Sequence, residues 1–169
     1  IKDACKYAGI PYPKSYELNW NDPKVWHNMI TAQQGVFQFE GDYAFSLLKD
    51  FKPNTINHMS MVNAALRPSG KSYRDRMIAG EHNDNPSKEI DDLLASNNGY
   101  LIFQEDTIKF LTDICGFTGS AADTTRRAIG KKDKELLKQQ LPKILEGYCS
   151  HSSQPRVKAE AEAKQFVQI

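Results

Sequence analysis

Arg126, Arg127, Lys131 and Lys132 place four cations within seven residues, separated only by Ala128-Ile129-Gly130. Guanidinium groups offer a rigid fork of donors that matches phosphate oxygens, and ammonium groups add compact point charges. A cluster of this type can grip a triphosphate through several charge-assisted bonds. It can equally be a solvated helix end, because Lys and Arg favour helix C-termini through the macrodipole. Composition alone favours the solvated end and leaves phosphate binding open. Lys134 extends the run. Arg67, Lys71, Arg74 and Arg76 form a second basic stretch suited to tracking a phosphate backbone, diluted by Asp75 and equally readable as a surface loop.

Other chemistries find less support. Asp91-Asp92 and Glu105-Asp106 are adjacent pairs, and neighbours on a helix point about 100° apart. Two-metal phosphoryl transfer needs carboxylates converging on ions about 4 Å apart, so both pairs read as structural or solvated and no metal site is assigned. Neither G-x-x-x-x-G-K-[ST] nor G-x-G-x-x-G occurs, and no nucleophile–base set can be argued. Cys5, Cys115 and Cys149 are odd in number with no C-x-x-C, which predicts reduced thiols in a cytosolic protein. His27, His58, His82 and His151 are scattered, and Cys149 with His151 alone is a weak zinc signal. A net charge of +1 argues against a surface that coats nucleic acid everywhere. Phe37 and Phe39 read as core anchors in preference to base-stacking rings, and Trp20 and Trp26 as core or interface residues. Gln38 and Gln104 read as hydrogen-bonding groups within the fold.

The elements that must hold these residues are helices. At 40% hydrophobic and 25% charged the chain has the composition of a globular domain. No apolar run is long enough to span a bilayer and no signal peptide is read. Asp22-Pro23 predicts a helix start, with Val25, Trp26, Met29 and Ile30 following at helical spacing. The stretch 35–40 predicts a short strand or extended segment. Asp42 is expected to cap a helix carrying Ala44, Leu47, Leu48 and Phe51 and stopped by Pro53. A further helix begins near Thr55, and a long polar connection with a short helix around 74–79 follows. Beyond it come a short helix over 89–94 and a helix bearing Ile108, Leu111 and Cys115 closed by Gly116. Ser120-Ala121-Ala122-Asp123 reads as a capping box and Gly130 as the stop of the helix it starts. Lys131-Lys132-Asp133-Lys134 then forms a junction. Pro142 is expected to kink or end the next helix, and a last helix follows Pro155. The predicted fold is mostly α, an irregular multi-helix domain with at most one or two short strands. Ile1 in place of Met, and an apolar pattern gathering at Phe166-Val167-Gln168-Ile169, lead us to expect a piece of a longer protein.

Gly35-Val36-Phe37-Gln38-Phe39-Glu40 resembles the GVFQ-x-E segment of bacterial DNA polymerase III alpha subunits, the family C replicative polymerases. Leu47-Leu48-Lys49, Phe51-Lys52-Pro53 and Ala65-Leu66-Arg67-Pro68 follow at the family's distances. Gly99 through Phe103-Gln104-Glu105 is similar to its YG-(apolar)-YQE. Gly116-Phe117, Gly119, Ala122-Asp123 and Arg126-Arg127-Ala128-Ile129-Gly130-Lys131-Lys132 resemble its GF-x-x-G-x-AD-x-x-RRA-M-GKK. Four segments in order, over 35–132, make the resemblance specific. It implies the start of the fingers, which receive the incoming nucleotide, with 1–34 a helical lead-in after the palm, 35–150 the fingers core and 151–169 a truncated continuation. The resemblance assigns Arg126 and Arg127 to the triphosphate, with Lys131 and Lys132 assisting or contacting DNA; Arg67, Lys71 and Lys134 are candidate DNA or phosphate contacts. Catalytic aspartates and the Mg²⁺ they hold would lie in the palm, outside this chain, so no catalytic residue is assigned and the isolated chain is expected to be inactive. Implied partners are template–primer DNA, deoxynucleoside triphosphates and the palm and thumb domains, in the cytoplasm and away from membranes. A non-enzymatic helical DNA-binding or interaction module derived from the family is the alternative. Arg67-Pro68-Ser69-Gly70 in place of a tighter RPG, Phe103 for Tyr, Ile129 for Met, and Pro142 mark a divergent member, such as a phage-encoded one.

Overall fold

The computed structural model describes residues 1–67, 71 and 73–168, and among them there are α-helices, short 3₁₀ and π turns, and no strand. The mostly α expectation holds. The chain divides into two compact units, Ile1–Asn63 and Ala64–Ile169.

The first unit contains α1 (Lys2–Ala8), α2 (Pro23–Thr31), α3 (Asp42–Phe51) and most of α4 (Ile56–Ala65). Asp22 caps α2 by accepting the Lys24 N–H at 2.9 Å, with Pro23 at the first helical position, as the sequence predicts. Trp26 is buried, and its indole N–H donates to the Trp20 carbonyl at 3.1 Å. The Trp20 indole donates in turn to the Ser15 carbonyl at 2.9 Å, so two tryptophans staple the lead-in to α2. Trp20 itself stays half exposed.

The stretch 35–40 forms a turn where a short strand or extended segment was expected. The Phe39 N–H donates to the Val36 carbonyl at 2.9 Å, and Gln38 takes a positive φ of 69°. Phe39 is buried as an anchor, whereas Phe37 is 86% exposed and anchors nothing in the core. A turn alternates direction too fast for both rings to face inward. The Gln33 amide braces the turn, donating to the Glu40 carbonyl and to Asp42 Oδ1, each at 2.8 Å. Asp42, its carboxylate drawn to Gln33, is the first residue of α3, and Gly41 takes the cap position. Lys52, in the left-handed region, and Pro53 end α3. The Thr55 hydroxyl accepts the His58 N–H at 3.1 Å and opens α4.

The second unit contains α5 (Arg74–Ile78), α6 (Lys88–Leu94), α7 (Gln104–Lys109), α8 (Gly119–Lys131), α9 (Lys134–His151) and α10 (Arg156–Gln168). Pro68, Ser69 and Gly70, where the sequence departs from the family's tighter loop, lie outside the described residues. The polar connection before α6 is pinned. Asn83 and Asn85 donate side-chain N–H groups to the Gly99 carbonyl at 3.0 and 2.9 Å, and the Tyr100 hydroxyl donates to the Glu81 carbonyl at 2.9 Å. Gly99 has φ 82°, and a Cβ there would lie 2.1 Å from the Asn83 carbonyl oxygen, so only glycine fits this crossing.

The core joins Ile90 and Leu94 of α6, Phe110, Leu111 and Cys115 after α7, Ala122 of α8, Ile144 and Tyr148 of α9, and Ala159, Ala163 and Phe166 of α10. The Phe110 ring lies 4.6 Å from that of Phe166 and 6.4 Å from that of Tyr148. The buried Tyr148 hydroxyl donates to Glu162 Oε2 at 3.1 Å, and burial pushes it up to about 12. Burial likewise pushes the Cys115 thiol up to about 12, which leaves it an apolar core group.

The single helix expected to run to Cys115 is α7 followed by a wide π turn over Phe110–Ile114, and Gly116 closes it with φ 69°. Pro142 sits inside α9 without ending it. Proline removes one backbone bond and crowds the carbonyl four residues earlier. Continuity is kept because Ile144 and Tyr148, beyond the proline, are both drawn into the core. Among the described residues no helix is long and apolar enough to cross a membrane.

Gly147 of α9 lets the helix approach the turn after α7, since a Cβ there would lie 2.2 Å from the Cys115 carbonyl oxygen. Gly130 of α8 has nothing within 4 Å of its Cβ position. Opposite signs are therefore expected. Gly130→Ala should stabilise by about 0.5–1 kcal/mol through helix propensity. Gly147→Ala should destabilise by about 1–2 kcal/mol, because backbone displacement in a packed core costs roughly 1–3 kcal/mol and outweighs that gain. Thermal unfolding checks both, at roughly 2–4 °C per kcal/mol. A stabilised Gly147→Ala variant would show that the contact yields freely.

Candidate phosphate-binding site

The cationic cluster lies on α8, and that helix starts and stops differently from the sequence prediction. Thr118, with extended backbone, is the N-cap, its hydroxyl accepting the Ala121 N–H at 3.4 Å. Ser120 is therefore inside the helix and no capping box forms there. Asp123, expected in that box, instead turns toward the residues one helical turn ahead. Its Oδ1 accepts from Arg126 Nε at 3.1 Å and Nη2 at 2.7 Å, and its Oδ2 pairs with Arg127 Nε at 2.8 Å. Spacings of three and four residues put these side chains side by side on a helix. Hydrogen bonding from Arg126, helped by the Arg127 charge, holds the Asp123 carboxyl below the usual carboxylate range.

The two arginines differ. Arg126 is 22% exposed, and its Nη1 donates to Gln104 Oε1 at 2.7 Å, at the first residue of α7. Arg127 is 66% exposed. Arg126 is thus tied on two sides, to Asp123 and to Gln104.

Gly130 continues the helix, and Lys132 takes the left-handed position that ends it (φ 56°). The Lys132 N–H donates to the Ile129 carbonyl and the Asp133 N–H to that of Ala128, both at 3.0 Å, closing the helix end. Asp133 then caps α9, accepting the Leu136 N–H at 3.0 Å. The expected junction over 131–134 is thus only Lys132-Asp133, with Lys131 in α8 and Lys134 opening α9. Lys131, Lys132 and Lys134 are all exposed. Asp123, Arg127 and Lys131 fall on one stripe of α8, with successive members about 6 Å apart along the axis.

The second basic stretch is partly engaged. Arg74 donates to the Ala65 carbonyl at 2.6 Å and to the Arg67 carbonyl at 3.0 Å, closing the end of α4. Arg76 pairs with Glu81 at 3.0 Å. Arg67 and Lys71 are exposed, and among the described residues no hydrogen bond or ion pair joins them to the α8 cations.

The paired carboxylates diverge. Asp91 accepts from the Asn85 backbone and side chain at 3.1 and 2.9 Å, and Asp92 pairs with Lys88. Asp106 is buried and accepts from Asn97 at 2.8 Å and from the Phe103 N–H at 2.9 Å, fixing the start of α7. Among the described residues no three metal-ligating side chains come together. These carboxylates, engaged in different directions, do not fit a two-metal centre. His151 is also engaged: its Nδ1 lies 2.8 Å from the Gly147 carbonyl and its ring covers Gly116.

Residues 4–152 match the family described as the bacterial DNA polymerase III alpha subunit finger domain. The chain belongs to this family. Similar proteins include the DNA polymerase III subunit alpha of Aquifex aeolicus (35% identical over 78% of this chain) and that of Mycoplasma genitalium (32% over 72%). The subunit alpha of Ureaplasma parvum is 28% identical over 84% of the chain. The matches span only 12, 14 and 15% of those relatives' own lengths. The finger-domain match includes α8 and its junction with α9, while α10 lies beyond it yet completes the core.

Gln104 hydrogen-bonds within the fold as expected, but neither its place beside Arg126 nor the pairing of Asp123 with both arginines was read from the sequence. Asp123 had a signal in its spacing to Arg126 and Arg127. The Gln104 contact, 22 residues from Arg126, had none.

The finger domain should respond unequally to loss of its two arginines. Arg126→Ala removes a part-buried group with charge-assisted bonds and should cost about 1–3 kcal/mol. Arg127→Ala removes an exposed ion pair and should stay within about 0.5 kcal/mol of the parent. Chemical denaturation of both variants checks this, and equal losses would contradict it.

Proposed function

We propose that this finger domain holds the triphosphate of an incoming deoxynucleoside triphosphate during templated DNA synthesis. Arg127 and Lys131 are the contact cations, Lys132 stands beside them, and Arg126 braces the helix that carries them. One observation carries the reading: the exposed Arg127 and Lys131 share a stripe of α8, the helix that Arg126 ties to α7 through Gln104. The fork of Arg127 suits two phosphate oxygens, and Lys131, a turn further on, suits a neighbouring phosphate. Phosphoryl transfer asks a protein chiefly for positioning and charge neutralisation, so these cations act without serving as acid or base.

In the whole polymerase Mg²⁺ supplies further charge neutralisation on the phosphates. Its ligands are assigned to the palm; within the finger domain Asp91, Asp92, Asp106 and Asp123 are engaged with Asn85, Lys88, Asn97 and the two arginines. Template–primer DNA and the palm and thumb domains are the remaining partners in the cytoplasm, with the exposed Arg67, Lys71 and Lys134 on the DNA backbone.

In the full-length polymerase, Arg127→Ala should lower single-nucleotide incorporation efficiency by about 10- to 150-fold, the loss of one charge-assisted contact. Arg127→Lys should recover little, because an ammonium lacks the fork. Near-parental incorporation by the alanine variant would end the triphosphate reading.

The isolated chain should extend no primer at any Mg²⁺ concentration. Extension that is lost when Asp91 or Asp106 is replaced would place catalytic carboxylates within the finger domain and overturn this assignment.

A further inference from the structure

We propose that Asp123 is a positioning residue for the phosphate site: it aims Arg127 outward and, together with Gln104, locks Arg126 as a strut between α8 and α7. The inference rests on the reading of Arg127 as a phosphate ligand. Its basis is the division of one carboxylate between two guanidiniums. Oδ1 takes two N–H groups from Arg126, at 3.1 and 2.7 Å, and Oδ2 takes Arg127 Nε at 2.8 Å. With Nη1 on Gln104 at 2.7 Å, Nε, Nη1 and Nη2 of Arg126 are all engaged, and only 22% of its side chain is exposed. Arg127, tethered through Nε, leaves 66% of its side chain exposed. A single acidic group therefore immobilises one cation and orients the other.

The charge of Asp123 has a second effect. Two guanidiniums and one carboxylate sum to a single positive charge, so the free site attracts a polyphosphate less than two bare arginines would. An arriving phosphate competes with Oδ2 for Arg127, while Arg126 stays held by Oδ1 and Gln104. Affinity is moderated and geometry is kept, the combination that favours a reacting complex over a tightly held ground state. A group of this kind separates rate from binding when it is lost.

Pre-steady-state single-nucleotide incorporation by the full-length polymerase tests this. Asp123→Asn keeps the shape but removes the charge and one acceptor. It should lower the maximal incorporation rate by about tenfold, with an apparent nucleotide Kd no higher than the parent's. Asp123→Glu, which keeps the charge, should recover most of the rate. In an Arg127→Ala background, Asp123→Asn should add less than about twofold, because its action runs through Arg127. A folded Asp123→Asn enzyme with parental rate, a raised Kd at unchanged rate, or full additivity with Arg127→Ala would each overturn the inference. If Asp123→Asn does not fold, Gln104→Ala carries the test. It should slow incorporation by about threefold or more without raising Kd, and parental kinetics would overturn the inference. Parental incorporation by Arg127→Ala would defeat the triphosphate reading itself. A slow Arg127→Ala beside a fast Asp123→Asn would defeat only the role given to Asp123.

Discussion

The second unit depends on the burial of Phe110 between Phe166 and Tyr148, with Ala122 of α8 in the same cluster. Fully burying one large apolar side chain is worth about 1.5–3 kcal/mol, whereas an exposed ion pair contributes about 0–1 kcal/mol. Apolar contact therefore decides where α8 lies, and the polar groups on its outer side only direct what it presents. Ala122, Thr125 and Ala128 form the buried stripe that leaves Asp123 and Arg127 facing outward.

Glu162, a buried acidic group beside that core, stays tolerable because it is partnered. It accepts from Tyr148 and lies 3.8 Å from the Lys158 ammonium. A tyrosine held neutral is a dependable donor, and the pair fixes α10 against α9 in one register. Packing of Ala159 and Ala163, both with no exposed area, brings the two backbones close.

Much of this was legible in the sequence. Helical spacing and the Asp22-Pro23 and Pro53 signals placed the helices, and four cations in seven residues marked the face of interest. The errors share a cause: each local signal had a rival that only the folded chain could rank. Thr118 and Ser120 are both competent caps, and the carboxylate that would have favoured Ser120 was claimed by Arg126 and Arg127. Gly130 is the expected helix stop, yet Lys132 adopts the left-handed turn because Asp133 must follow it to cap α9. Phe37 and Phe39 look alike in sequence, and only the turn at Gln38 separates the outward ring from the inward one. The contact between Gln104 and Arg126 needed α7 and α8 to be placed side by side first.

The wide turn over Phe110–Ile114 bears on how this domain can vary in length. The Cys115 N–H reaches back five residues to the Phe110 carbonyl at 3.1 Å, so the turn holds one residue more than an α-helical turn would. Deleting a residue there would leave an ordinary helix with its backbone bonds intact. It would also swing everything downstream by about 100°, carrying the Cys115 carbonyl away from Gly147 and Gly116 from beneath His151. The residue count of this segment is thus locked by the helix that passes over it.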